Sequence, residues 1–164
     1  MNYLIKTLDN SYQQNILDLI LPIQQIEFNV PVTLEGQPDL LDIESFYLKG
    51  GGNFWGAFEG DKLVGTIAMI DTGYQACAIR KMFVKKEYRG KEFGIAQHLF
   101  DMLKAYCLEH DIKKIFLGTV DMLKAAHRFY EKNGFTRIKP EDLPDYFPAM
   151  MGENVYYYLY IGKD

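Results

Sequence analysis

Residues 87–100 read EYRGKEFGIAQHLF, and the run changes character halfway through. It opens on charge, sets Gly90 and Gly94 four residues apart, and passes into a stretch where Ile95, Leu99, Met102, Leu103 and Tyr106 recur at helical spacing. The pattern predicts a loop feeding a helix. A helix start is an anion site by construction: its first amides lack carbonyl partners and its dipole end is positive. Lys85, Lys86, Arg89 and Lys91 gather around this one. Each alone reads as a solvated charge on a turn, but together, beside a helix start, they suit phosphate. The spacing matches neither G-x-x-x-x-G-K-[ST] nor G-x-G-x-x-G, so neither of those two phosphate loops is present.

Working outward, QACAIRKMFVKKEY predicts a strand entering the loop, and NFWGAFEGDKLVGTIAMI predicts two more around an EGDK hairpin turn. Nearer the start, NYLIKTL reads as a first strand. SYQQNILDLILPIQQIEF puts Ile16, Leu19, Ile20 and Ile23 on one helical face. PDLLDIESFYLKGGG reads as a second helix, with Pro38 in its first turn and glycines 50–52 as its stop. Beyond the loop come a strand, KKIFLGTV, and a helix, DMLKAAHRFYEKNGF, with Asp121 as expected N-cap and Gly134 as stop. Two closing strands, FTRI and NVYYYLYIG, flank the Pro-rich KPEDLPDYFPAM loop. With no repeat or linker, the reading is one α/β domain over residues 1–164. It predicts a mixed, mostly antiparallel twisted sheet of about seven strands, helices on both faces, and a central parallel strand–helix–strand unit. Sheets of this kind bind ligands outside the carboxyl ends of parallel strands, where residues 85–93 fall.

Bulk properties narrow the class. The 164 residues are 48% hydrophobic and 24% charged with a net charge of -4, which argues against a nucleic-acid partner. The longest apolar stretch, ILDLILPIQQI, is broken by Pro22 and too short to span a bilayer, so no membrane partner is expected. Cys77 and Cys107 read as small buried hydrophobes in a reduced, cytoplasmic chain. His98, His110 and His127 show no metal-ligand spacing with the cysteines, and no metal is expected.

KMFVKKEYRGKEFGIAQHLF, followed some distance on by AAHRFYEKNGF, resembles the GNAT superfamily of N-acetyltransferases. The resemblance covers residues 53–135 and implies acetyl-CoA as cosubstrate, with loop amides holding its pyrophosphate. Carried over by position, the coenzyme contacts are Met82, Phe83, Val84, Arg89, Gly90, Lys91, Glu92, Phe93, Gly94, Ile95, Ala96 and Phe129. Two departures stand out. RGKEFGIA carries two additional residues between Arg89 and Ala96, so either Lys91 takes the first motif position or Arg89 keeps it in a longer loop. Leu123 stands where many relatives have an Asn on the pantetheine arm.

The implied reaction, attack of a primary amine on the thioester, has three needs. An alkylammonium of pKa ~10.4 is neutral about once in 2,500 molecules at pH 7, a handicap of roughly 4.6 kcal/mol. A base would reduce it, and Glu27 is the candidate chosen among Glu27, Glu35, Asp39, Asp42 and Glu44. The oxyanion needs a donor, which the resemblance assigns to a main-chain amide within Met82, Phe83 and Val84. The departing thiolate needs a proton, which Tyr130 would give as general acid. His127, three residues earlier, reads as a packing histidine before a relay. The expected acceptor is a small-molecule or peptide amine, and the chain a monomer or homodimer. An acyl-CoA-binding sensor without catalysis is the alternative on the same fold, and an unrelated mixed α/β protein the third reading.

Overall fold

Glu59 and Lys62 close a hairpin through Gly60, whose φ of +58° is left-handed backbone that glycine adopts without strain. A computed structural model of the chain describes residues 2–150 and 152–162, so residues 1, 151, 163 and 164 of the expected domain span lie outside the described residues. The strands are β1 (Leu4–Thr7), β2 (Asn53–Glu59), β3 (Lys62–Gly73), β4 (Ala76–Val84), β5 (Lys114–Thr119), β6 (Thr136–Ile138) and β7 (Val155–Tyr160). The α-helices are α1 (Gln13–Pro22), α2 (Ile95–Glu109) and α3 (Lys124–Lys132). The strands form one seven-stranded mixed sheet in the order β1-β2-β3-β4-β5-β7-β6. The α/β class and sheet type therefore match the sequence reading.

The chain divides into two compact units, Met1–Ile70 with Arg80–Ala105, and Asp71–Ile79 with Tyr106–Asp164. In the first, β1 pairs antiparallel with β2 and β2 with β3, with a register shift at Ala57/Phe58. The apolar faces of α1 and the following turns supply Ile16, Leu19, Ile20, Ile23, Leu40, Ile43 and Tyr47 to a core shared with Leu8, Phe54, Phe58, Leu63 and Ala68. Gly65 matters here for a different reason. A Cβ on it would lie 3.1 Å from Ile95 Cγ2 and 3.2 Å from Leu99 Cδ1, so its absence lets the start of α2 come close to β3.

In the second unit, Ala76, Cys77, Ala78 and Ile79 of β4 pair parallel with Lys114, Ile115, Phe116 and Leu117 of β5, and β7 pairs antiparallel with β5 and β6. Tyr74 and Gln75 turn the chain into β4 with φ of 61° and 58°, both left-handed. Gly134, φ +93°, ends α3 as expected, with the Phe135 amide returning to the Tyr130 carbonyl at 3.0 Å.

Three local expectations change. The first helix is α-helical only to Pro22, which has no N–H to donate; the backbone continues as a π-helical turn over Ile23–Glu27, closed by Phe28 N–H to the Ile23 carbonyl at 3.1 Å. The second helix is not one α-helix but a 3₁₀ turn, Pro38–Leu41, and a π turn, Glu44–Leu48. Asp42 interrupts it, with φ -153° and a carboxylate that accepts from Asn10 Nδ2 and the Ser45 amide. Asp121 does not cap α3. Its carboxylate accepts from Lys124 Nζ at 2.9 Å, which holds it below the usual carboxylate range, and Leu123 takes the cap position without a side-chain bond.

Candidate functional site

The loop between β4 and α2 is fastened at several points of the first unit. Lys85 N–H donates to the Val64 carbonyl at 2.8 Å, which ties the end of β4 to β3. Residues Lys86–Tyr88 make a 3₁₀ turn, and the Tyr88 hydroxyl donates to Glu59 Oε1 at 2.6 Å across the hairpin. That bond raises the Tyr88 pKa. Arg89 Nε donates to the Val84 carbonyl at 2.8 Å, and its guanidinium forms a two-pronged pair with Glu27, Nη2 to Oε1 at 2.8 Å and Nη1 to Oε2. The same group lies 5.4 Å from the centre of the Phe28 ring.

Beyond Arg89 the chain turns sharply through two glycines. Gly90 and Gly94 have φ of +121° and +66°, and a Cβ on Gly90 would come within 2.8 Å of the Glu92 carboxylate. Holding a residue with a side chain at Gly94 would cost about 1–2 kcal/mol of backbone strain. Phe93 and Gly94 amides both turn back to the Gly90 carbonyl, at 3.3 and 3.2 Å, and the Arg89 amide to Lys86 at 3.3 Å. Among the described residues, the amides of Gly90, Lys91, Glu92, Ile95 and Ala96 have no hydrogen-bond acceptor. These five are the donors this stretch offers to an anion, two of them in the first turn of α2. Lys91 and Glu92 are exposed, Phe93 and Ala96 half-buried, and Ile95 buried.

Met82, Phe83 and Val84 follow an irregularity that the sequence did not announce. Lys81 has φ +52°, left-handed backbone in the body of a strand. Its side chain is buried, bonded to Gln37 Oε1 and 3.7 Å from Asp39 Oδ2, while Tyr47 donates to the same Asp39 oxygen at 2.5 Å. The Tyr47 pKa is raised, by burial first and then by Asp39. Asp39, one of the early carboxylates, therefore sits in a buried polar cluster instead of on a solvated face. Two adjacent cations, Arg80 and Lys81, in the otherwise apolar CAIRKMFV were the one signal for it.

Glu27 and Arg89 are placed together by the fold of the first unit. The proposed base and the first phosphate cation are each other's partners. Both Glu27 oxygens are taken, and Arg89 uses three of the five N–H groups a guanidinium carries. Glu27 also borders a cavity of about 570 Å³, with Leu19, Pro22, Ile23, Leu63 and Lys85–Glu87 among its walls.

Tyr130 and Phe129 belong to the second unit. Tyr130 is 7% exposed, its ring 5.6 Å from Phe135, 5.7 Å from Tyr157 and 5.9 Å from Phe129. Burial pushes its pKa well up. Its neighbour Tyr157 donates to Glu131 Oε2 at 2.6 Å. The Tyr130 hydroxyl makes no hydrogen bond to another described residue, and it is not a buried atom left without a partner, so it reaches the surface of its pocket. His127 is spoken for: Nε2 lies 2.9 Å from the Val120 carbonyl and its ring packs edge-on to Tyr157. No group of three or more His, Cys, Asp or Glu side chains that could hold a metal ion is found among the described residues, and no described helix is long and apolar enough to cross a membrane.

A model of the "Acetyltransferase (GNAT) family" matches residues 17–135. A solved GNAT-family acetyltransferase from Staphylococcus aureus Mu50 is 39% identical, with 98% of this chain and all of that one covered at a TM-score of 0.94. An acetyltransferase structure from Streptococcus agalactiae 2603 is 28% identical, covering 95% and 96% of the two chains at a TM-score of 0.91. The N-acetylaspartate synthetase of Xenopus tropicalis is 35% identical over 102 residues, 61% of this chain and 37% of that protein. The chain thus spans little more than a third of that relative.

Proposed function

Because the chain belongs to the acetyltransferase (GNAT) family, we propose that it moves the acetyl group of acetyl-CoA to a primary amine by direct attack on the thioester. The observation that carries the proposal is the row of partnerless amides at Gly90, Lys91, Glu92, Ile95 and Ala96. They fit a diphosphate, since each donates without first breaking an internal bond. In this reading an amide within Met82–Val84 holds the carbonyl oxygen as charge builds on it. The amine nitrogen bonds to the carbonyl carbon, the carbon–sulfur bond breaks, and the sulfur takes the Tyr130 proton. The neutral amine sheds one proton to water as it becomes an amide, and water returns a proton to the Tyr130 phenolate, which restores the acid. Tyr130 suits this task because burial keeps the phenol protonated and its hydroxyl is not used inside the protein. Glu27, fastened to Arg89, serves in this proposal to hold the loop.

The first acceptors to try are small α-amino acids. Support for that class comes from the name of the Xenopus relative, an N-acetylaspartate synthetase. The test is release of free thiol when the purified chain is mixed with acetyl-CoA and a panel of amino acids and other amines, with acetylated product identified by mass. Coenzyme A at a hundredfold excess over its Kd should add about 2.7 kcal/mol to folding. That corresponds to a Tm rise of about 5–10 °C for a chain this size. Thiol release from no amine, together with an unmoved Tm, would refute the proposal. A raised Tm without turnover would favour the sensor reading.

A further inference from the structure

We infer that Thr66, Lys81 and Asp39 are positioning residues that aim the Met82 amide at the thioester carbonyl. The inference rests on the reading above that an amide of this stretch holds that oxygen. Lys81 carries two unusual features at one position. Its backbone is left-handed, φ +52°, where a glycine would sit without strain. Its side chain is also buried as an ion, against Asp39 and Gln37. A buried ion pair is weak evidence of added stability and better evidence of a defined local arrangement. Here the arrangement ties the strand to the 3₁₀ turn of Pro38–Leu41, in which Asp39 is held in turn by Tyr47.

The third feature gives direction. Thr66 Oγ1 donates to the Lys81 carbonyl at 2.8 Å, in a buried contact. The Lys81 C=O and the Met82 N–H belong to one planar trans peptide, so their directions are opposed. A hydroxyl that pins the carbonyl on one side therefore pins the amide on the other. Lys81 sets the rotation of that peptide through its φ and its tethered side chain, and Thr66 locks it. A donor that is already aimed costs no reorganisation when the oxyanion forms.

The experiment reads the carbonyl itself, so it needs no acceptor. Isotope-edited infrared difference spectra of protein-bound acetyl-CoA, labelled at the thioester carbonyl, are compared for wild type, Thr66→Val, Thr66→Ser and the pair Lys81→Met with Asp39→Asn. The expected result is a lowered carbonyl frequency in wild type and in Thr66→Ser. In Thr66→Val that lowering is lost, while the Kd for acetyl-CoA stays within about threefold because the phosphate-facing loop is untouched. Once an acceptor is known, Thr66→Val should lose at least about tenfold in kcat with little change in the KM for acetyl-CoA. The Lys81/Asp39 pair variant should show the same lost shift. If it fails to fold, the two Thr66 variants decide. A wild-type carbonyl frequency in folded, acetyl-CoA-bound Thr66→Val overturns the inference, as does an unshifted carbonyl in wild type. Failure of wild type to bind acetyl-CoA overturns the acetyl-transfer reading, and the inference falls with it.

Discussion

Tyr130→Phe separates chemistry from packing at one atom. The substitution keeps the ring that touches Phe129, Phe135 and Tyr157, and removes a hydroxyl that bonds to nothing among the described residues. The hydroxyl is not a buried atom left without a partner, so deleting it should change stability by no more than about 0.5 kcal/mol. For a chain of this length the Tm should stay within about 2 °C. The same change removes the only proton proposed for the departing sulfur. General-acid contributions are typically 10²–10⁴-fold, and we expect kcat to fall by at least about tenfold with the Kd for coenzyme A unchanged. The control is Tyr157→Phe, which breaks the 2.6 Å bond to Glu131 and should cost about 1 kcal/mol without a comparable loss of rate. Calorimetry and single-turnover thiol release on the three proteins check both halves. Wild-type single-turnover rates in Tyr130→Phe would remove the tyrosine from the mechanism. A Tm loss as large as that of Tyr157→Phe would show that its hydroxyl has an internal structural partner.

Other expectations are narrower. Gly94→Ala meets no atom closer than the Lys91 carbonyl at 4.0 Å, so only backbone strain acts; we expect about 1–2 kcal/mol lost stability and at least several-fold weaker coenzyme A binding by titration calorimetry. Glu27→Gln removes one charge of a partly exposed pair, which should cost about 0.5–1 kcal/mol and leave kcat within about threefold; a hundredfold loss of kcat would restore Glu27 as the base. Alkaline stability should depend in part on Tyr157, whose pKa is pushed up to about 12 by burial and the bond to Glu131, alongside the more strongly raised Tyr47 and Tyr130. Below an unfolded value of ~10 both states hold the proton and stability is full. Between there and about 12 the unfolded chain gives it up first, so stability falls as pH rises, and Tyr157→Phe should flatten the fall in Tm between pH 9 and pH 11.

What the sequence conveyed well was written in periodicity and punctuation. Alternation and turn residues found every strand, and Gly90, Gly94 and Gly134 marked backbone that is in fact left-handed. The losses have local causes. Periodicity could not see that Pro22 would convert the end of the first helix to wider hydrogen bonding, or that the Asp42 carboxylate would bond Asn10 and Ser45 and split the second. Tyr74 and Gln75 turn a hairpin with no glycine at either position, so turn composition gave no sign of it. Pairings far apart in sequence were the least legible. Arg89 with Glu27, and Lys81 with Asp39 and Gln37, are each separated by more than forty residues, and nothing in either local stretch names its partner.

Those distant pairings alter how the anion site is understood. Four cations around a helix start suggested a site made of charge, in a chain whose net charge is -4. The most central of them, Arg89, instead binds a carboxylate, a strand carbonyl and an aromatic face. A guanidinium held in three directions is poorly placed to follow a mobile phosphate, but well placed to keep a loop still. Lys85 is tied through its amide to β3, Tyr88 through its hydroxyl to the end of β2, and Arg89 through its side chain to the end of β4 and to the turn after α1. Under the proposed function, phosphate recognition would then fall mainly to the main chain, whose donors are fixed by the fold and carry no side-chain entropy to lose. In the proposed reading Lys85, Lys86 and Lys91 contribute a favourable field around those donors, while the amides of residues 90–92 and 95–96 would set where the diphosphate lies and so where the thioester is delivered.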